Sequence, residues 1–127
     1  MRKLTGVILA AAFALAVPAA FAQEVSVAKL AVGTGLKKEV LQGEATAFAS
    51  SVRGVYCQAT LDVKAGAKFT LVWKHNSVET GQTQLQAPKA TKAYVFTGYK
   101  RVRPGAWTVE LLDGAGLVLS TLAFTVS

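Results

Sequence analysis

The side chains best suited to chemistry in this 127-residue chain are few, and most of them stand alone. There is one cysteine, Cys57, and one histidine, His75. A Cys–His pair could bind a metal or activate a thiol. It would need further ligands or an orienting carboxylate, and the chain contains no C-x-x-C, H-x-x-H or related spacing. A nucleophilic serine would need the G-x-S-x-G turn, which is absent. The 7 acidic residues are scattered, and most lie near turn signals. Asp113-Gly114 itself reads as a hairpin connection. These observations point away from an enzyme and imply no cofactor and no metal. The alternative is a small metal- or thiol-handling protein using Cys57 and His75. Cys57 alternates with Val55, Ala59 and Leu61, the pattern of a buried position.

A second group of residues is suited to binding. Between Pro88 and Pro104 lie Lys89, Lys92, Lys100, Arg101 and Arg103, without an acidic residue. Tyr94, Phe96 and Tyr99 are interleaved with them. A cationic strand and loop carrying aromatics can attract an anionic polymer or an acidic envelope protein. The candidate surface is therefore Lys92, Tyr94, Tyr99, Lys100, Arg101 and Arg103. The competing reading is that lysines on an edge strand keep sheets from joining edge to edge. Tyr56 and Tyr99 could also stack against sugars, whereas Trp73, two residues after Leu71, and Trp107, two residues before Val109, read as core. No nucleic-acid recognition motif is present.

The start of the chain sets the compartment. Arg2 and Lys3 precede an uncharged apolar run, and Ala20-Phe21-Ala22 places small residues at the −3 and −1 positions before Gln23. This predicts a secretory signal peptide over residues 1–22, cleaved after Ala22. The mature protein is then periplasmic or secreted, a monomer, and touches the membrane only through the uncleaved signal. Gln23 in place of a cysteine gives no lipid anchor. Loss of Arg2 and Lys3 leaves 12 of the 14 basic residues against 7 acidic ones, a net charge of about +5, modest for a polyanion binder.

The remaining stretch of about 105 residues suits one domain, here residues 23–127. A lone cysteine allows no internal disulfide, so a hydrophobic core must hold it. The dominant period is two. Strands are predicted over Val25 to Val32, Ala45 to Ala49, Gly54 to Leu61, Lys68 to His75, Glu79 to Ala87 (polar, at an edge), Lys92 to Lys100, Ala106 to Leu112 and Leu117 to Val126. Gly33 to Gly43 reads as a polar connection. His75, beside the Asn76-Ser77 turn, is expected half exposed. Short strands with regularly spaced turn signals predict an all-β fold: a single immunoglobulin-like antiparallel β-sandwich of about seven to eight strands, preceded by a signal-peptide helix. Trp73 is expected to fill the space between the sheets.

The last third carries a longer pattern: Pro104-Gly105-Ala106-Trp107-Thr108-Val109-Glu110-Leu111, then Asp113-Gly114-Ala115-Gly116-Leu117-Val118-Leu119, then Phe124-Thr125-Val126. Upstream lies Leu71-Val72-Trp73-Lys74-His75. Together these resemble the bacterial family called domain of unknown function 2914, with its closing G-x-W-x-V, D-x-x-G-x-x-L and F-x-V elements. The resemblance implies an exported β-sandwich module and no reaction. The expected role is a non-catalytic binding or scaffolding module in the cell envelope.

Overall fold

The computed structural model describes residues 24–127, so the signal segment and its cleavage site lie outside the described residues. Ten strands follow in order: β1 (Val25–Gly33), β2 (Gly35–Lys37), β3 (Val40–Gln42), β4 (Ala47–Phe48), β5 (Gly54–Val63), β6 (Lys68–His75), β7 (Val78–Gln86), β8 (Thr91–Arg101), β9 (Gly105–Asp113) and β10 (Val118–Val126). They form a three-stranded sheet, β1-β5-β8, a five-stranded sheet, β4-β10-β9-β6-β7, and the small pair β2-β3. All strand pairs are antiparallel except β10–β4. Labelled in the immunoglobulin manner, the two large sheets read A-B-E and A′-G-F-C-C′, the expected sandwich with its first strand divided between the sheets.

Alternation does the building. On β5, Val55, Cys57, Ala59, Leu61 and Val63 are buried, with Tyr56, Gln58 and Thr60 on the other face. On β6, Phe69, Leu71 and Trp73 point inward, and on β9, Trp107, Val109 and Leu111 do the same. These rows meet in one hydrophobic cluster shared by both large sheets. Phe69 bridges the layers, edge-on to Tyr94 at 6.1 Å and Phe96 at 6.0 Å. Gly98 stands opposite Leu71, where a Cβ would come within 2.9 Å of the leucine side chain. Trp73 does lie between the sheets, edge-on to Phe124.

Three local features differ from the sequence reading. The Gly33 to Gly43 connection contains the β2–β3 hairpin, turned by Lys38 and Glu39 at φ of 50° and 64°. Its tip is anchored where the Gln58 amide donates to the Glu39 carbonyl at 2.8 Å. His75 is buried rather than half exposed. Asp62, one residue beyond the predicted Gly54 to Leu61 strand, belongs to β5, whereas Asp113 does serve a turn: its Oδ1 accepts the N–H groups of Ala115 and Leu117, both at 2.9 Å.

Candidate anion-binding cleft

The loop from β8 to β9 is held down by polar contacts that its sequence prescribes. His75 Nε2 donates to the Pro104 carbonyl at 2.8 Å, and Nδ1 faces the Arg103 Nε–H at 3.4 Å. Both ring nitrogens are thus engaged, in the tautomer with the proton on Nε2. The imidazole lies against the Trp107 ring at 4.6 Å, and the Trp107 Nε1–H reaches back to the Arg103 carbonyl at 2.9 Å. This is an indole counterpart of the tyrosine corner that closes the E–F turn of immunoglobulin domains. Gly105 takes φ of 139°, and a Cβ there would sit 2.4 Å from His75 Nε2. Only glycine lets the chain pass so close to the ring. Asn76 completes the clamp by accepting the Ala106 N–H at 3.0 Å.

Above this clamp is a cleft of about 320 Å³ lined by Thr80, Lys100, Arg101, Val102, Arg103 and Trp107. Three of those side chains are cationic and none is acidic. Lys100 crosses from one sheet to the other, its Nζ donating to the Thr80 carbonyl on β7 at 2.9 Å. Gly81 leaves room for it, since a Cβ there would lie 3.2 Å from Nζ. Arg101 and Arg103 are exposed. Among the described residues the ion pairs are Lys29–Glu44 and Lys74–Glu110, so no carboxylate neutralises the cleft cations. The site offers ammonium and guanidinium donors beside a rigid aromatic wall. That set suits a carboxylate or phosphate group.

The structure divides the residues singled out from the sequence. Lys100, Arg101 and Arg103 converge on the cleft. Lys92 is exposed at the far end of β8, about 27 Å from Lys100 along the strand. Lys92 and Ala93 together oppose Asp62 at a β-bulge. Tyr94, expected on the binding surface, is turned inward against Phe69, because residues 94, 96, 98 and 100 share the inner face of β8. Tyr99 points outward, half exposed, and pairs with Tyr56 at 4.8 Å between ring centres. The second wall of the cleft, Thr80 and Trp107, escaped sequence reading because it comes from other strands. The Pro104-Gly105 dipeptide signalled the turn but not its contact with His75.

Cys57 and His75 do not form a site. Cys57 is fully buried, and burial pushes its thiol up to about 12. His75 belongs to the other sheet and is held by the clamp. Among the described residues no group of three or more His, Cys, Asp or Glu side chains could hold a metal ion. A second cleft, lined by Glu24, Lys68 and Asp113 among others, lies at the opposite end of β9. The Asp113 carboxylate there is committed to the turn.

No curated protein matches the sequence. The profile of one family, described as protein of unknown function (DUF2914), matches residues 67–126. The pattern elements within that span have structural work to do. Gly105 and Trp107 build the clamp, Asp113 and Gly116 (φ 88°) make the β9–β10 turn, and Phe124 and Val126 fill the core. Residues 67–126, from just before β6 to the end of β10, are thus similar to the family of proteins of unknown function DUF2914.

Proposed function

We propose that this domain is a non-catalytic binding or scaffolding module of the cell envelope, holding its partner by an anionic group seated among Lys100, Arg101 and Arg103. The observation that carries this reading is the acid-free cleft itself: three cations gathered from β8 and the β8–β9 loop over a wall fixed by Trp107 and His75. Unneutralised like charges repel one another, so an anion entering the cleft relieves that repulsion and forms charge-assisted hydrogen bonds. The groups that could otherwise serve catalysis are occupied: the Cys57 thiol by the core, the His75 nitrogens by the clamp, the Asp113 carboxylate by its turn. The envelope location rests on the signal pattern of residues 1–22.

The test uses the processed domain and tripolyphosphate, followed by isothermal titration at low and physiological salt. Binding that weakens as salt rises, and that is lost in the Lys100→Glu, Arg101→Glu, Arg103→Glu triple variant, is the expected result. Equal binding by that variant removes the cleft from the function. N-terminal sequencing of the exported protein tests the compartment. A start at Gln23 is expected, and an intact Met1 form in the cytoplasm would refute export.

A further inference from the structure

The three-stranded sheet ends on β8, and among the described residues no strand pairs with its far side. Constant-type immunoglobulin domains fill that place with a fourth strand, in the order A-B-E-D. Here residues 87–90 lead straight from β7 into β8, and no strand among the described residues takes that place. From Tyr94 to Arg101 the register with β5 runs unbroken, Leu61 opposite Tyr94 through to Gly54 opposite Arg101. The amide and carbonyl groups of that stretch that point away from β5 have no strand partner among the described residues. Natural edges are usually blunted by prolines, bulges or charges along their length. On β8 the bulge lies before this stretch, and Ala93 to Tyr99 contains neither a charge nor a proline. The cations stand at its two ends: Lys92 at one, and Lys100, Arg101 and Arg103 at the other. Val95 and Tyr99, both about half exposed, offer side-chain contacts to a neighbouring strand on the outer face.

We infer that β8 is a strand-addition site for an extended segment of a partner protein with uncharged β-forming residues in its middle and carboxylates at both ends. The inference rests on the anion-cleft reading and deepens it. One terminal carboxylate sits in the cleft, the other meets Lys92, and main-chain hydrogen bonds to Tyr94–Tyr99 supply the affinity between them. The end charges set register and speed encounter.

The probe is a fluorescein-labelled peptide of about ten residues, the length of the strand from Lys92 to Arg101, with paired glutamates at each end and alternating threonine and valine between. A control peptide carries the same charges but two central prolines. Tripolyphosphate serves as an anion without a backbone. The processed domain should bind the first peptide at least tenfold more tightly than the proline control, by anisotropy. Hydrogen exchange should slow at alternate amides between Tyr94 and Tyr99 with the first peptide only. Lys92→Glu should weaken peptide binding several-fold and leave tripolyphosphate binding unchanged. Equal affinity for the two peptides, or unchanged exchange along β8, overturns strand addition. If tripolyphosphate still binds in that case, the cleft reading survives alone. If neither peptide nor tripolyphosphate binds, both readings fall.

Discussion

Replacing Gly105 with alanine perturbs the β8–β9 clamp at its tightest point. The backbone there has φ of 139°, a region that side-chain-bearing residues rarely enter, and holding alanine in it costs about 1–3 kcal/mol. The new Cβ would lie 2.4 Å from His75 Nε2 and 3.0 Å from Asn76 Oδ1, so the imidazole must move. Moving it sacrifices the bond to the Pro104 carbonyl, about 1 kcal/mol net, and part of the His75–Trp107 stack, about 0.5–1.5 kcal/mol. Stiffening of the unfolded chain offsets roughly 0.5 kcal/mol. The expected loss is about 3 kcal/mol, or roughly 12–24 °C in Tm for a domain of this size. Gly116→Ala is the matched control: its φ is 88°, yet a Cβ there meets nothing within 4 Å. It should cost only the backbone part. Urea unfolding followed by tryptophan fluorescence, with m unchanged, measures both variants. If Gly105→Ala costs no more than Gly116→Ala, the clamp as described is wrong. A double variant with His75→Ala should recover part of the loss, since the clash partner is gone.

Further outcomes follow from the same contacts. Cys57 should resist a thiol reagent in the folded domain at pH 8 and react fully once urea unfolds it; rapid labelling of folded protein would contradict its burial. The thiol is raised from 9.0 to about 12 in the folded state, so its contribution is whole below pH 9 and is lost as pH climbs from 9 towards 12, where the unfolded chain ionises first. Stability should therefore fall less steeply over that window in Cys57→Ala than in the wild type, and identical slopes would count against it. Cys57 on β5 and Val109, two residues beyond Trp107 on β9, occupy the positions that an inter-sheet disulfide joins in antibody domains. Val109→Cys should thus oxidise to a bridge closing a loop of about 50 residues, worth up to roughly 4 kcal/mol, while persistence of two free thiols would show that these positions do not face each other. Asp113→Ala strands the Ala115 and Leu117 N–H groups and should cost about 1–3 kcal/mol, read as a lower urea midpoint.

Much of the fold was legible along the chain because a strand half buried in a sandwich must alternate. Val55-Cys57-Ala59-Leu61, Phe69-Leu71-Trp73 and Trp107-Val109-Leu111 declared their inner faces by type alone. The Pro104-Gly105 and Asp113-Gly114 turns were equally visible, as turn chemistry is local. The β2–β3 hairpin was not, since Lys38 and Glu39 adopt left-handed conformations that their types disfavour and that the Gln58–Glu39 contact helps to hold.

For the candidate site, residue order alone places a run of cations without acids between Pro88 and Pro104 and offers no motif of catalytic spacing. Which of those cations meet depends on how the strands fold together. Alternation turned Tyr94 into the core, strand length carried Lys92 to the opposite end of β8, and the packing of one sheet on the other brought Lys100 to Thr80 and Trp107 beneath Arg103. The reason is geometric. Period and turn chemistry are properties of neighbouring residues, whereas a cleft between two sheets is built from residues far apart in the chain, whose approach depends on how the layers stack.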